Sequence, residues 1–284
     1  MKWASFEHQG KSGCGLVDGD HIRVMPEATL IECLPDLQGA AADAGYYGRI
    51  PLADVKLSQP ILRPGKILGI GVNYAAHAAE SVSFISSKEP EIQKWFSKSA
   101  TAANGPGHPV HLPKVSEQLD YEAELVVIIG KYGRHVPAER AMEIVAGFSC
   151  GADFSVRDWQ KASPTMIMGK GFDTHAPFGP FLVTPDEIAN LGGTGIRGYV
   201  NGELRQTGKV SDMIHDISAQ IAHLTAAFTL EPGDVIFTGT PAGVGAGFTP
   251  PKWLKAGDVF RVEIDGVGAM ECPIIAEPDT ARIG

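Results

Sequence analysis

Residues 120–129 read Asp120-Tyr121-Glu122-Ala123-Glu124-Leu125-Val126-Val127-Ile128-Ile129. Side chains alternate between the faces of a strand, so Glu122 and Glu124 share one face while Ala123 and Leu125 take the other. Two like charges side by side destabilise a sheet face unless something cationic lies between them. The apolar run that follows suggests partial burial, where an unpaired charge is costly. A hard divalent ion would resolve the conflict; an edge strand whose two glutamates face solvent is the plainer alternative.

From residue 66 onward, short β-rich runs at 67–72, 125–129, Val235–Phe237 and Val259–Ile264 alternate with Gly/Pro turns. The class is therefore α+β and β-rich. Asn201-Gly202 and Asp265-Gly266 lie between strand-like flanks and predict two hairpins, because both central positions of a type I′ turn need positive φ. Pro137 opens a predicted helix over residues 138–146. Ile214, Ile217, Ile221, Leu224 and Phe228 recur at three- and four-residue spacing and predict another over 212–228. Residues 1–62 have a different texture, strand-like pieces followed by an Ala-rich segment, and read as a small accessory domain before a catalytic domain at 63–284.

The chain has 284 residues, 44% hydrophobic and 20% charged, with 34 glycines and 20 prolines, about a fifth of the total. Those values exclude low-complexity and collagen-like chains. With 24 basic against 33 acidic residues the net charge is −9, which excludes nucleic acid and anionic membranes as expected partners. Cys14, Cys33, Cys150 and Cys272 form no C-x-x-C pair, so a zinc ribbon is not expected and reduced thiols are. The first residues lack an apolar stretch, and no run approaches the ~20 apolar residues of a membrane span. The expectation is a soluble, cytoplasmic protein.

Two motifs mislead. Gly193–Gly198 matches G-x-G-x-x-G, but it opens a strand rather than a helix, which the dinucleotide fingerprint does not. Gly147–Gly151 matches the G-x-S-x-G nucleophile elbow, which keeps a Ser149-centred hydrolase as a rival.

A third carboxylate, Asp153, follows the predicted 138–146 helix. If the chain returns it to Glu122 and Glu124, three carboxylates and waters make an octahedral oxygen site suited to Mg²⁺ or Mn²⁺. Arg157 and Gln160 would share a helical face and could bind a carboxylate there, although Arg157 could also pair with Asp158 or Asp153. Lys170 lies between two glycines and could stabilise a developing oxyanion, or be a solvated loop lysine. Residues 238–245 offer closely spaced N–H groups, either a nest for a substrate carboxylate or a glycine-rich turn. In residues 71–80, His77 and Glu80 would stand one helical turn apart, as a water-activating pair or as a surface pair. The polar stretch 81–94 reads as a mobile lid, about 77–96 with its flanks.

In order, G-x-N-Y-x-x-H-x-x-E, D-Y-E-x-E-L, D-x-S-x-R-D-x-Q, G-K-x-F-D-T and P-G-D-V-I-x-T-G-T-P-x-G-V-G resemble the fumarylacetoacetate hydrolase family over about residues 66–275. The resemblance implies a mixed β-sandwich roll, often with a small N-terminal α/β domain, and a homodimer. It implies Mg²⁺ on Glu122, Glu124 and Asp153. It further implies that Tyr74, Arg157, Gln160, Lys170 and Thr240 contact a 2-oxo acid, with His77 and Glu80 as the lid dyad. Two departures are visible: about four extra residues between Glu80 and Phe96, and Ala152-Asp153-Phe154-Ser155 where Asn-Asp-x-Ser is usual.

These readings converge on a Mg²⁺-dependent hydrolase that cleaves the C3–C4 bond of a 2,4-dioxo acid and releases pyruvate or a related 2-oxo acid. The same metal-enolate chemistry without water attack gives the alternative: oxaloacetate tautomerase or decarboxylase, 2-hydroxy-dienoate isomerase or hydratase, or ureidoglycolate lyase. A non-catalytic binding protein would require loss of the dyad or the acids, and both are present.

Overall fold

The computed structural model describes residues 1–25, 29–45, 47–81 and 92–279. Its centre is the strand Ala123–Ile129, every residue of which is buried. One parity of this strand, Leu125, Val127 and Ile129, enters a core shared with Phe148, Phe260, Val262 and Ile274. The other parity, Val126 and Ile128, enters a second core with Trp3, Phe178, Leu182 and Phe237. A strand covered on both faces reads as a continuous apolar run, which accounts for residues 125–129.

The strand belongs to a twelve-stranded sheet, flanked by Val145–Ala152 and Val235–Phe237 and ending at Ile67–Gly71 and Lys94–Lys98. Toward the other end, Ala176–Val183 pairs with Lys2–His8 in the register Lys2↔Val183 and Trp3↔Leu182, so the first strands extend the same sheet. A five-stranded sheet, Glu203–Lys209, Gly195–Val200, Val259–Ile264, Gly268–Ala276 and Val110–Leu112, stacks across the first core. The class is α+β, β-rich, in a mixed sandwich roll.

Both hairpins form, with different turns. Asn201 and Gly202 both have positive φ (51° and 80°), as a type I′ turn requires. At the second, the loop takes three residues, 265–267, and only Gly266 is left-handed (φ 75°). The helix predicted over 138–146 is a 3₁₀ helix, Ala138–Ile144, because Val145 has already joined the sheet opposite Ile129. The helix predicted over 212–228 is Ile217–Ala227. Asp216 caps it on the Ala219 N–H at 2.8 Å. Asn73 draws the preceding residues away, its carbonyl accepting from Ile214 N–H at 2.7 Å and its side chain from His215 N–H at 2.9 Å. Residues 193–198 run into a strand, and Ser149 is a buried mid-strand residue opposite Val126, which removes the nucleophile-elbow rival. All four cysteines are free thiols, and no described helix is long and apolar enough to cross a membrane.

His175 lies between the rings of Phe172, stacked at 5.4 Å, and Phe154 at 6.1 Å, with Nε2–H donating to the His111 carbonyl at 2.8 Å. Burial pushes its imidazole down to about 3. The folded pKa is thus below the unfolded value, so the stability His175 contributes is present above pH ~6.5 and is lost as pH falls toward 3. Replacing His175 with Gln is expected to narrow the stability gap to wild type by about 2–3 kcal/mol between pH 7 and 4.5. Urea unfolding at the two pH values reads it; a gap independent of pH would refute the assignment.

Candidate metal centre and active site

Antiparallel pairing of Ala123 with Ala152 and Glu124 with Gly151 carries Asp153 back to the start of the acidic strand, where its N–H donates to the Glu122 carbonyl at 2.9 Å. Carboxylate oxygens of Glu122, Glu124 and Asp153 lie within 4.8 Å of one another, and all three residues are buried. The solvent-facing alternative for the two glutamates is therefore wrong: the strand is covered on both faces. Among the described residues this is the only cluster of three metal-ligating side chains.

Cations surround the acids. Lys170 Nζ donates to Glu122 Oε2 at 2.8 Å and Asp153 Oδ2 at 2.6 Å. Arg157, opening the short helix Arg157–Ala162, donates to Glu122 Oε1 at 2.7 Å, Asp120 Oδ2 at 2.8 Å and Gln160 Oε1 at 2.9 Å. Its acidic partners are Asp120 and Glu122 rather than Asp158 or Asp153, because the pairing of Leu119 with Val156 and Asp120 with Ser155 sets Arg157 beside Asp120. Lys170 is 2% exposed, which excludes a solvated loop lysine. Burial opposes ionisation of Glu122, but Lys170 and Arg157 outweigh it and hold its carboxyl far below the usual range. Glu124 has no ion-pair partner among the described residues: burial, then Asp153 and Glu122, push its carboxyl well above the usual range against a smaller opposing pull from Lys170. The set is short of positive charge at Glu124.

The loop after Val235–Phe237 spends its N–H groups on the protein's own acids. Gly239 N–H donates to Glu124 at 2.7 Å, Gly243 to Glu80 at 2.9 Å, and Gly245 and Ala246 to Asp120 at 2.6 and 3.0 Å. The nest expected for a substrate carboxylate thus holds the site together instead. His77 and Glu80 lie on the helix Ala75–Ser81, with Nδ1 of His77 2.9 Å from Glu80 Oε2. The carboxylate there accepts a hydrogen bond from Nδ1–H, which puts the lone pair of the neutral ring on Nε2. Residues 82–91 of the expected lid lie outside the described residues; 94–98 form the end strand of the sheet.

A cavity of about 70 Å³ opens over these groups, lined by His77, Glu122, Arg157, Gln160, Lys170 and Thr240. Thr240 Oγ1 donates to the Ala123 carbonyl at 2.9 Å and accepts from Gln206 Nε2 at 2.7 Å. Tyr74 is buried and is not part of the lining; its hydroxyl has no partner among the described residues, and burial, then Glu124, push it up. Val72 (φ 56°) and Met166 (φ 59°) line the same cavity in the left-handed region, strain of the kind that gathers at ligand sites. A larger cavity of about 790 Å³ lies elsewhere, beside Arg205, Lys252 and Trp253, away from the acid cluster.

Sequence reading missed three groups. Asp120 shares the parity of Glu122 and Glu124, so the same alternation could have found it. Lys98 donates to Asp153 and, at 3.1 Å, to the Phe154 carbonyl; its period-2 relation to the aromatic Phe96 is the only local hint. Gln206, whose Oε1 accepts from Ala123 N–H at 2.9 Å, carries no local signal.

A hard divalent cation fits this donor set: three buried carboxylates, one of them with no ion-pair partner among the described residues. Residues 66–275 match the fumarylacetoacetate (FAA) hydrolase C-terminal model, and residues 1–60 the Rv2993c-like N-terminal model. The chain belongs to the fumarylacetoacetate hydrolase family. Oxaloacetate tautomerase YisK of Bacillus subtilis is 44% identical over 298 residues, covering 95% of this chain and 98% of that protein. The fumarylacetoacetate hydrolase of Exiguobacterium antarcticum superposes with a TM-score of 0.85 at 36% identity, over 98% of this chain and 100% of that one. The 5-carboxymethyl-2-hydroxymuconate delta-isomerase of Mycobacterium smegmatis gives 0.81 at 32%, with the same coverage. This family of enzymes thus includes tautomerase, hydrolase and isomerase names around one fold.

Proposed function

We propose that this protein is a divalent-cation-dependent tautomerase that interconverts the keto and enol forms of a small 2-oxo dicarboxylic acid, oxaloacetate. The observation that carries the reading is the 44% identity to oxaloacetate tautomerase YisK over 95% of this chain and 98% of that protein. The gathering of the acid cluster, Lys170 and the His77–Glu80 pair at one narrow cleft supports the same choice over the acylpyruvates of the hydrolase expectation. Glu122, Glu124 and Asp153 would hold the cation, which when bound supplies Lewis-acid polarisation of a 2-oxo carbonyl.

The chain's own residues supply the proton chemistry. His77, oriented through Nδ1 by Glu80 and with Glu80 fixed on Gly243 N–H, removes a proton from C3 at Nε2. Lys170 would stabilise the negative charge that develops on the 2-oxygen, and His77 would return the proton to that oxygen to complete the enol. Arg157 and Gln160, already joined at 2.9 Å, present a rigid polar edge that orients the substrate. The same dyad could instead activate a water for attack on a C4 carbonyl, and this favours C–C hydrolysis as the second reading.

The test follows the enol absorbance of oxaloacetate with Mg²⁺ against a protein-free Mg²⁺ background, with pyruvate read in parallel. Wild type is expected to speed equilibration without releasing pyruvate. EDTA should abolish the effect, and His77→Ala should cut it by about 10²–10⁴-fold. Metal-dependent pyruvate release from an acylpyruvate, with oxaloacetate unaffected, would install the hydrolase reading instead.

A further inference from the structure

The strand Lys94–Lys98 runs antiparallel to Ile67–Gly71 and forms one wall of the site. Its alternation places Lys94, Phe96 and Lys98 on one face, in steps of roughly 7 Å. At the inner end Lys98 holds Asp153. In the middle, the Phe96 ring lies against Gly69 and carries Lys170 Nζ 4.9 Å from its centroid. At the outer end Lys94 lines the same cavity, exposed, beside Gly71 and the Met166 methyl.

The three cations that line this cavity differ in what they hold. Lys170 is committed to Glu122 and Asp153, and Arg157 to Asp120, Glu122 and Gln160. Lys94 has no acidic partner among the described residues. Apolar Ile70, Val72 and Met166 line the same cavity, the Met166 methyl beside Gly71 next to Lys94. A ligand whose 2-oxo-carboxylate end faces the acids therefore has hydrocarbon at its middle and an ammonium at its far end. Lys94 is one strand step, roughly 7 Å, from Phe96, whose ring faces Lys170.

We propose that Lys94 is the specificity-determining residue that pairs with the distal carboxylate of the substrate and so selects 2-oxo dicarboxylates over 2-oxo monocarboxylates. This deepens, and rests on, the tautomerase reading. A merely solvated lysine would leave the two acid classes alike, since exposed ion pairs contribute little; an ammonium at the mouth of a narrow cavity makes a charge-assisted hydrogen bond that does not.

Calorimetric titration of the Mg²⁺-saturated wild type, Lys94→Met and Lys94→Arg with oxaloacetate, 2-oxobutyrate and oxalate tests it. The first two ligands have equal carbon counts and differ in the distal carboxylate. Oxalate is a dianion with no distal end, and so controls for general attraction to positive charge. Wild type is expected to bind oxaloacetate at least about tenfold more tightly than 2-oxobutyrate. Lys94→Met should erase that ratio through oxaloacetate alone, and Lys94→Arg should keep most of it. An unchanged ratio in Lys94→Met, or an equal loss for oxalate, overturns the proposal. If the ratio behaves as expected but oxaloacetate is not tautomerised, Lys94 keeps its role and the reaction reading falls. If oxaloacetate is tautomerised with the ratio indifferent to Lys94, the reverse holds.

Discussion

Replacing Glu124 with alanine abolishes divalent-cation binding and divalent-dependent activity while the protein remains folded. Glu122 and Asp153 are paired with Lys170, Arg157 and Lys98, whereas among the described residues Glu124 receives a hydrogen bond only from the Gly239 N–H at 2.7 Å. Glu124 is thus the acid that most needs a cation, and its loss removes a carboxyl whose ionised form burial and its acidic neighbours disfavour in the apo fold. The cost to stability is the unsatisfied Gly239 N–H, about 1–3 kcal/mol, and Glu124→Gln, which keeps an acceptor, should cost less. Loss of a residue that merely supports a ligand weakens metal affinity about 10–100-fold, so loss of the ligand itself should exceed that range. Direct titration with Mg²⁺ and melting curves with and without it make the check, and tight Mg²⁺ binding by the variant would remove the metal centre.

A pH dependence accompanies this result. Burial and the two neighbouring carboxylates raise Glu124, so the apo protein holds a proton there that the unfolded chain has released. The group's stability contribution is therefore present below the unfolded carboxylate pKa and is lost as pH rises through the raised one. Mg²⁺ must displace that proton, so its affinity should rise with pH, with proton release visible in buffers of different ionisation enthalpy.

What could be read in the sequence was what depends on neighbours a few residues apart. Glu122 and Glu124 at period 2, His77 and Glu80 at one helical turn, and Arg157 and Gln160 at i to i+3 all form the pairs their spacing implies. Asp153 needed the strand to return, and the pairing of 123–129 with 145–152 supplies that. Lys98 reaches Asp153, and Gln206 reaches Ala123 and Thr240, from distant strands through sheet order, which no local period encodes. The 3₁₀ helix at Ala138–Ile144 and the late start at Ile217 have the same origin: sheet entry at Val145 and the Asn73 contacts override local helical preference. The glycine-rich loop was legible as a set of N–H donors, but its acceptors were not, because Glu80, Asp120 and Glu124 reach it from separate elements.

That loop carries the second large effect. Gly243→Ala is expected to lower stability by about 3–5 kcal/mol, the range of the severest single substitutions. Gly243 has φ 107°, and a Cβ there would lie 1.9 Å from the Arg205 carbonyl oxygen, a backbone atom that cannot rotate away. Gly257 provides the comparison: φ is 96° but no atom lies within 4 Å of its would-be Cβ. Gly257→Ala should therefore cost only the conformational term, about 1–2 kcal/mol. At roughly 2–4 °C per kcal/mol for a chain of this size, the two variants should melt several degrees or more apart. The consequence reaches the chemistry, since moving residue 243 withdraws the N–H that holds Glu80 and strains the neighbouring N–H groups on Asp120. The Glu80 carboxylate that orients His77 and the Asp120 carboxylate that pairs with Arg157 are then held less firmly, so the folded Gly243→Ala protein, assayed well below its melting temperature, should show a lower kcat with Mg²⁺ binding retained. Equal melting temperatures for the two variants would show that the loop can shift freely, and an unchanged kcat would mean that Glu80 does not need Gly243 to orient His77.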